Sequence, residues 1–175
     1  MGTDGRKTIM RIAILSNGPG NYSTKRLREE AESRGHEVEV IAYGKCYVSI
    51  DEKNPKVMYD GENIGKFGAF IPRIASHMTE YGTSVVRQLE TAYPRAFFVN
   101  RSIAITRARD KLRSTQIMAK YGVSIPKTVF SRNSNDIDDL LEEIGGTPAI
   151  IKLARGTHGN GVVLAETKKA AKSVL

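Results

Sequence analysis

Residues 150–166 read IIKLARGTHGNGVVLAE, and their spacing is the one in this chain best suited to chemistry. Gly156, Gly159 and Gly161 fall within six positions, between two β-prone runs. Lys152 interrupts the first run four residues before Gly156. A loop without side chains lets the backbone come close to a ligand, and its N–H groups can point at phosphoryl oxygens. An ammonium on the strand entering the loop adds a compact charge within reach of the same oxygens. Protein kinases combine a glycine flap and a strand lysine in this way. The loop lacks the Gly-Lys-Ser/Thr ending of a P-loop. A strand rather than a helix follows it, so no helix N-terminus faces an anion there. The same residues fit a tight β-hairpin equally well, its lysine laid along the surface with the charge in water.

A second glycine run, Gly18-Pro19-Gly20-Asn21-Tyr22-Ser23, follows an apolar strand and opens a helix. It imitates the G-x-G-x-x-G dinucleotide fingerprint, but Ser23 replaces the third glycine. The acidic residue expected at the end of the next strand is also missing, because that strand runs into Ala42-Tyr43-Gly44. The run therefore reads as a turn. Basic residues form a further cluster: Arg101, Arg107, Arg109, Lys111 and Arg113. On one continuous helix, Arg107 and Lys111 would share one face, and Arg109 and Arg113 another. A solvated helix is the plain reading of that pattern. The functional one turns Lys111 toward a nucleotide and the arginines toward an acidic substrate. Arg73, in the PRI segment, is another candidate for contacting substrate and equally fits a structural ion pair. His36, His77 and His158 are scattered without metal-ligand spacing. Asp136, Asp138, Asp139, Glu142 and Glu143 belong to a capped, exposed helix, so no metal site is read from these residues.

The elements that must position these groups follow from periodicity. Strands are expected at Met10–Leu15, Glu37–Ala42, Ala69–Ile71 and Ala96–Val99, and helices from Ser23 to Gly35 and over residues 79–92. Asp60-Gly61 between short β-prone runs signals a hairpin within Val57–Ile64. This order implies a small parallel α/β unit over residues 10–100. Residues 101–175 follow as a second unit. It has one long helix over Ser102–Tyr121, a strand at Lys127–Phe130 and a helix from Asn133 or Ser134 to Ile144. The strand–loop–strand of the opening stretch comes next, then a helix from Thr167. Residues 1–9 read as a disordered extension or tag, without the apolar core of a secretory signal. No apolar run approaches membrane-spanning length. The single cysteine, Cys46, allows no internal disulfide and suggests a reducing compartment. The net charge is +8, and residues 99–175 carry most of it, with 13 Lys/Arg against 7 Asp/Glu. That imbalance suggests a polyanionic partner.

Two groups of segments carry a family resemblance. ARDKLRSTQIMAKYGVSIPKT and PAIIKLARGTHGNGVVLAE resemble the N-terminal half of an ATP-grasp domain. MRIAILSNGPGNYSTKRLREEAESRGHEVEVI and FIPRIASHMTEYGTSVVRQLE resemble the pre-ATP-grasp domain of RimK-type α-L-glutamate ligases. The resemblance runs from Met10 to Leu175. It implies a Rossmann-like α/β pre-ATP-grasp domain, then the N-terminal α+β subdomain of an ATP-grasp fold, truncated. It also implies a cytoplasmic protein-modifying ligase that adds L-glutamate to the acidic C-terminus of a ribosomal protein. In such enzymes the ATP γ-phosphoryl group moves to a carboxylate, and the glutamate amine then attacks the acyl phosphate. By the family pattern Lys111 and Lys152 contact ATP phosphates, and Gly156, Thr157, His158, Gly159, Asn160 and Gly161 form the flap. Arg73 and Arg109 are the substrate candidates. Ligands for Mg²⁺ or Mn²⁺, and the catalytic residues, are expected in a part absent from this chain, which stops inside a helical pattern. The 175-residue chain alone is therefore expected to be catalytically silent or nearly so. Ribosome association and a homo-oligomer are compatible with the reading; a membrane is not implied. Two alternatives stay open: a basic RNA- or ribosome-binding module without catalysis, and an inactive regulatory or dimerisation remnant.

Overall fold

A computed structural model describes residues 8–152 and 161–174. The expected extension, as far as residue 7, lies outside them. The chain forms two compact units, with the division between Arg109 and Asp110.

In the first unit β1 (Arg11–Leu15) is the central strand. It pairs in parallel with β2 (Glu37–Ile41) on one edge and with β6 (Ala69–Pro72) on the other. β7 (Phe97–Phe98) continues the sheet beyond β6, giving the order β2-β1-β6-β7. A strand covered on both faces must be apolar throughout, and Ile12, Ala13, Ile14 and Leu15 are all buried. α1 (Tyr22–Ser33) connects β1 to β2 and buries Thr24 and Ala31, while its outer face carries arginine–glutamate pairs. Between β2 and β6 the chain makes a small antiparallel sheet of β3 (Tyr47–Ser49), β4 (Lys56–Tyr59) and β5 (Glu62–Asn63). The β4–β5 turn is Asp60-Gly61, with φ of 48° and 84°. Positive values at both positions suit a two-residue hairpin.

β6 reaches one residue further than Pro72 was expected to allow. The ring removes only the Pro72 N–H, and the next one along, from Arg73, donates to the Leu15 carbonyl at 2.9 Å. α2 (Thr79–Ala92) then packs Val85, Val86 and Leu89 into the core. Gly82 makes its close approach possible, since a Cβ there would stand 2.5 Å from Ile74 Cγ2. Phe70 is fully buried at the centre, 4.9 Å from the Phe98 ring and 5.5 Å from Phe67. α3 (Ser102–Arg109) closes the unit.

The expected helix over Ser102–Tyr121 is two helices. Asp110 has extended backbone angles, and its carboxylate accepts the Arg113 N–H at 2.9 Å. It is thereby the N-cap of α4 (Lys111–Lys120) and interrupts the helical run. The basic pairs four residues apart therefore do not share one helix, and no residue of α4 is buried. Lys127–Phe130 is not a strand: it has no ladder partner among the described residues. A 3-10 turn at Ser134–Asp136 leads into α5 (Ile137–Ile144), which Gly145 ends in the left-handed conformation at φ 95°. β8 (Ala149–Lys152) and β9 (Val162–Ala165) form an antiparallel hairpin ahead of α6 (Lys168–Val174). Ile137, Leu141, Ala149, Ala165 and Ala171 make the second unit's small core. Asp138 ties α6 to α5 through Lys168 and Lys172, each at 3.0 Å, and these cations hold its carboxyl below the usual range.

Two measurements probe the first unit's core. Phe70→Ala should cost about 3–5 kcal/mol in denaturant unfolding, through lost burial and a residual cavity. Cys46 is buried, and burial first, with the Asp60 charge second, pushes its thiol up to about 11 from 9.0. The folded chain therefore keeps this proton where the unfolded chain loses it. The associated stability is whole below pH 9 and lost as pH rises toward about 11. Iodoacetamide at neutral pH should spare Cys46 until the protein unfolds, and Cys46→Ala should flatten the alkaline decline relative to wild type.

Candidate functional site

Two places gather the residues that the sequence singles out, one in each unit. The first is a cleft of about 390 Å³ at the carboxyl ends of β1 and β6, lined entirely by residues of the first unit. β2 is added on one side of β1 and β6 on the other, so the strand order reverses at this point. Open parallel sheets leave a crevice there. Ser16, immediately after β1, is fixed by its N–H to Ile41 O at 2.8 Å and by its Oγ, 3.0 Å from Thr24 Oγ1. Arg73, immediately after β6, points a guanidinium nitrogen at Ser23 Oγ, 3.2 Å away. Arg109, at the end of α3, donates to the Ile74 carbonyl at 2.7 Å. Asn100 and the aliphatic groups of Pro72, Ala104 and Ala108 complete the part that matters for a ligand. α3 is anchored by Glu90, whose two carboxylate oxygens accept the Ser102 N–H at 2.8 Å and the Ser102 hydroxyl at 2.7 Å.

Arg73 and Arg109, far apart in sequence, thus line one cleft. No acidic side chain lines it, and among the described residues no carboxylate pairs with either arginine. The structural ion pair that Arg73 also fitted is not formed within that set. The neighbouring glycine loop is tied back on itself at Gly18. Its Gly18 N–H is spent on Ser16 Oγ, and a Cβ on Gly18 would collide with the Asn21 amide. The position that would hold a ribose-binding acid is instead taken by Tyr43, fully buried, with its hydroxyl accepting the Ala75 N–H at 2.9 Å.

The second place is the outer face of the β8–β9 hairpin. Side chains alternate across a ladder. Ala149 and Ala165 turn inward to α5 and α6, while Ile150 and Leu164 face out, each 55% exposed. Lys152 pairs with Val162 on that outer face and is exposed. Its charge therefore lies on an apolar, uncovered surface and not in the small core. Gly161 enters β9 with φ 75°. Gly156, Thr157, His158, Gly159 and Asn160 lie outside the described residues. Lys111 is the first residue of α4, exposed, in the same unit as Lys152. Among the described residues no three His, Cys, Asp or Glu side chains gather closely enough to hold a metal ion, and no helix is long and apolar enough to cross a membrane. Ser16, Ser23, Thr24 and Asn100 were not singled out by spacing. Only the strand order brings them together, and pairing order is not written in local periodicity.

A parallel α/β unit followed by a helix-and-hairpin unit with a strand lysine at a glycine loop is the front of an ATP-grasp arrangement. The family model for the RimK PreATP-grasp domain matches residues 10–105, and that for the RimK-like ATP-grasp domain matches residues 108–175. The chain belongs to the RimK-type ATP-grasp family. It is 52% identical over 166 residues to a protein of Teredinibacter turnerae named "Probable alpha-L-glutamate ligase", and 53% identical to one of the same name from Picosynechococcus. Each match covers 95% of this chain and 54% of the relative, so the chain spans about half the length of these relatives. Among solved structures, a RimK domain ATP-grasp protein of Sphaerobacter thermophilus superposes with a TM-score of 0.67 at 21% identity, covering 94% of this chain and 56% of that one. The ATP-grasp ligase PsnB, solved with precursor peptide PsnA2 and AMPPNP, gives 0.65 at 17% identity, covering 94% and 61%. These two likenesses establish the fold.

Replacing Glu90 by alanine should strand the buried Ser102 donors at the head of α3 and cost about 1–3 kcal/mol. Amide hydrogen exchange should then quicken along α3 while α6 keeps its protection.

Proposed function

We propose that this chain is the nucleotide-gripping front portion of an ATP-dependent ligase that joins L-glutamate to the acidic C-terminus of a protein, a ribosomal protein being the substrate the resemblance favours. Support comes from the family membership, from the relatives' name and from the peptide and AMPPNP in the PsnB structure. One observation carries it: Lys152 stands on the outer face of the hairpin at the root of the glycine loop, beside exposed Ile150, Val162 and Leu164. An ammonium there neutralises phosphate charge, and the apolar neighbours suit the flat, less polar part of a nucleotide. Lys111 and the glycines from Gly156 to Gly161 are assigned to the same grip. The protein's contribution to phosphoryl transfer is then mainly positioning and charge neutralisation. The γ-phosphoryl group goes to a carboxylate, the glutamate amine displaces it, and amide, ADP and phosphate result. The described residues do not fit a divalent ion, so no step is assigned to one here. Turnover, a cytoplasmic location and ribosome association are assigned to the full-length ligase.

The RNA-binding alternative rested on one continuous basic helix, and Asp110 breaks that helix. A titration separates the two readings. ATP should bind the chain, and Lys152→Ala should weaken it about tenfold or more, the value of a lost charge-assisted hydrogen bond. Unchanged ATP affinity in that variant sinks the nucleotide grip. Salt-sensitive RNA binding that ignores the substitution would favour the alternative.

A further inference from the structure

The cleft of the first unit has no role in the nucleotide grip, and its chemistry is specific enough to name a ligand class. Its titratable lining residues are Arg73 and Arg109 alone, both cationic. Arg73 spends one nitrogen on Ser23 Oγ, and among the described residues no carboxylate pairs with the rest of its planar fork. Such a fork matches a carboxylate in two parallel hydrogen bonds. The Ser23 hydroxyl and the Asn100 amide add neutral polar groups to the lining. Pro72, Ala104 and Ala108 add aliphatic surface to the lining. At about 390 Å³ the cleft sits near the small end of ligand sites, roughly 300–1,000 Å³. The adjoining glycine loop keeps the Gly18 N–H for Ser16 and its space for Asn21, so a pyrophosphate gains no backbone cradle there.

We propose that this cleft is a carboxylate subsite that takes an acidic amino acid, either free or as the last residue of an acceptor peptide. The Arg73 guanidinium grips the carboxylate with help from Ser23 and Asn100, and the methylene groups lie on Ala104 and Ala108. Arg109, braced by the Ile74 carbonyl, adds a second positive charge to the lining. The inference rests on the ligase reading, deepens it by giving the first unit a substrate task, and stands on residues separate from the nucleotide grip.

Chemical-shift titration of the isotope-labelled 175-residue chain tests it, with four probes: L-glutamate, a short peptide ending in glutamate, inorganic phosphate and ATP. Glutamate or the peptide should perturb amides near Ser23, Arg73 and Ala108, and the stronger of the two identifies the source. Arg73→Gln should weaken that ligand about tenfold, Arg73→Lys should recover part of the loss, and both should leave ATP affinity within about twofold. Ala108→Phe, which fills the cleft and keeps the charge, should weaken it as well. Equal affinity in Arg73→Gln and wild type overturns the proposal. So does a phosphate response at these amides stronger than the carboxylate response, or no response to either carboxylate probe. Loss of ATP binding with carboxylate binding intact would instead overturn only the nucleotide grip.

Discussion

β1 is hydrogen-bonded in parallel on both edges, Leu15 aligned with Ile41 on one side and with Pro72 on the other. That double pairing is the constraint from which the first unit follows. It forces Ile12 to Leu15 to be apolar on both faces. It sends α1 and α2 to cover those faces, and it aligns the ends of β1 and β6 so that Ser16 and Arg73 emerge side by side. A shift of β6 by one residue against β1 would reverse which of Phe70 and Ile71 faces the core. Phe70 stacks on Phe98 and Tyr93 in the correct register and could not do so otherwise. The same packing that fixes register therefore fixes where the guanidinium of Arg73 can go.

The second unit works with far less buried surface. Its core is five small or branched side chains held by two helices and a hairpin. Three ion pairs, Lys127 with Glu143 and Asp138 with Lys168 and Lys172, lie on its surface and contribute little each. A hairpin that buries only one face must leave the other to water or to a ligand. Here the uncovered face carries Ile150, Val162 and Leu164 with one charge among them. Scattered exposed apolar residues are ordinary. Three on one face of a four-residue ladder, beside Lys152, form an apolar surface with a polar anchor.

Much of this was legible in the sequence. Periodicity located β1, α1, β2, α2, α5 and α6 because each keeps an apolar face with a turn residue at its end. Asp60-Gly61 declared its hairpin because Asp-Gly suits the two consecutive positive φ values of a type I′ turn. The break at Asp110 was harder to see. Aspartate is tolerated inside helices, and only the bond to the Arg113 N–H shows that it acts here as a cap. Lys127–Phe130 has β-prone residues, but a strand is defined by its partner, which local sequence does not supply. Lys152 and Gly161 could be singled out by spacing because both belong to one short hairpin. The cleft could not, since Ser16, Ser23, Arg73, Asn100 and Arg109 come from five separate segments that only the strand order assembles.

The side chains at the two places also limit what each can do. General acid–base catalysis needs a group that gives up or takes a proton near the working pH. The cleft offers guanidinium groups, hydroxyls and the amides of Asn21 and Asn100. The groups whose proton affinity moves do so for structural causes elsewhere: burial for Cys46 and Tyr93, ion pairing for Arg28 and Asp138. On the proposed reading the cleft holds a charge rather than transferring a proton. The same holds for a lone exposed ammonium on the hairpin face. A reaction that proceeds through a phosphorylated carboxylate asks for little more than this from its binding surfaces. They must neutralise the anions that would otherwise repel one another and hold them in line. On the proposed reading, two cationic grips, one on each compact unit, are suited to that task.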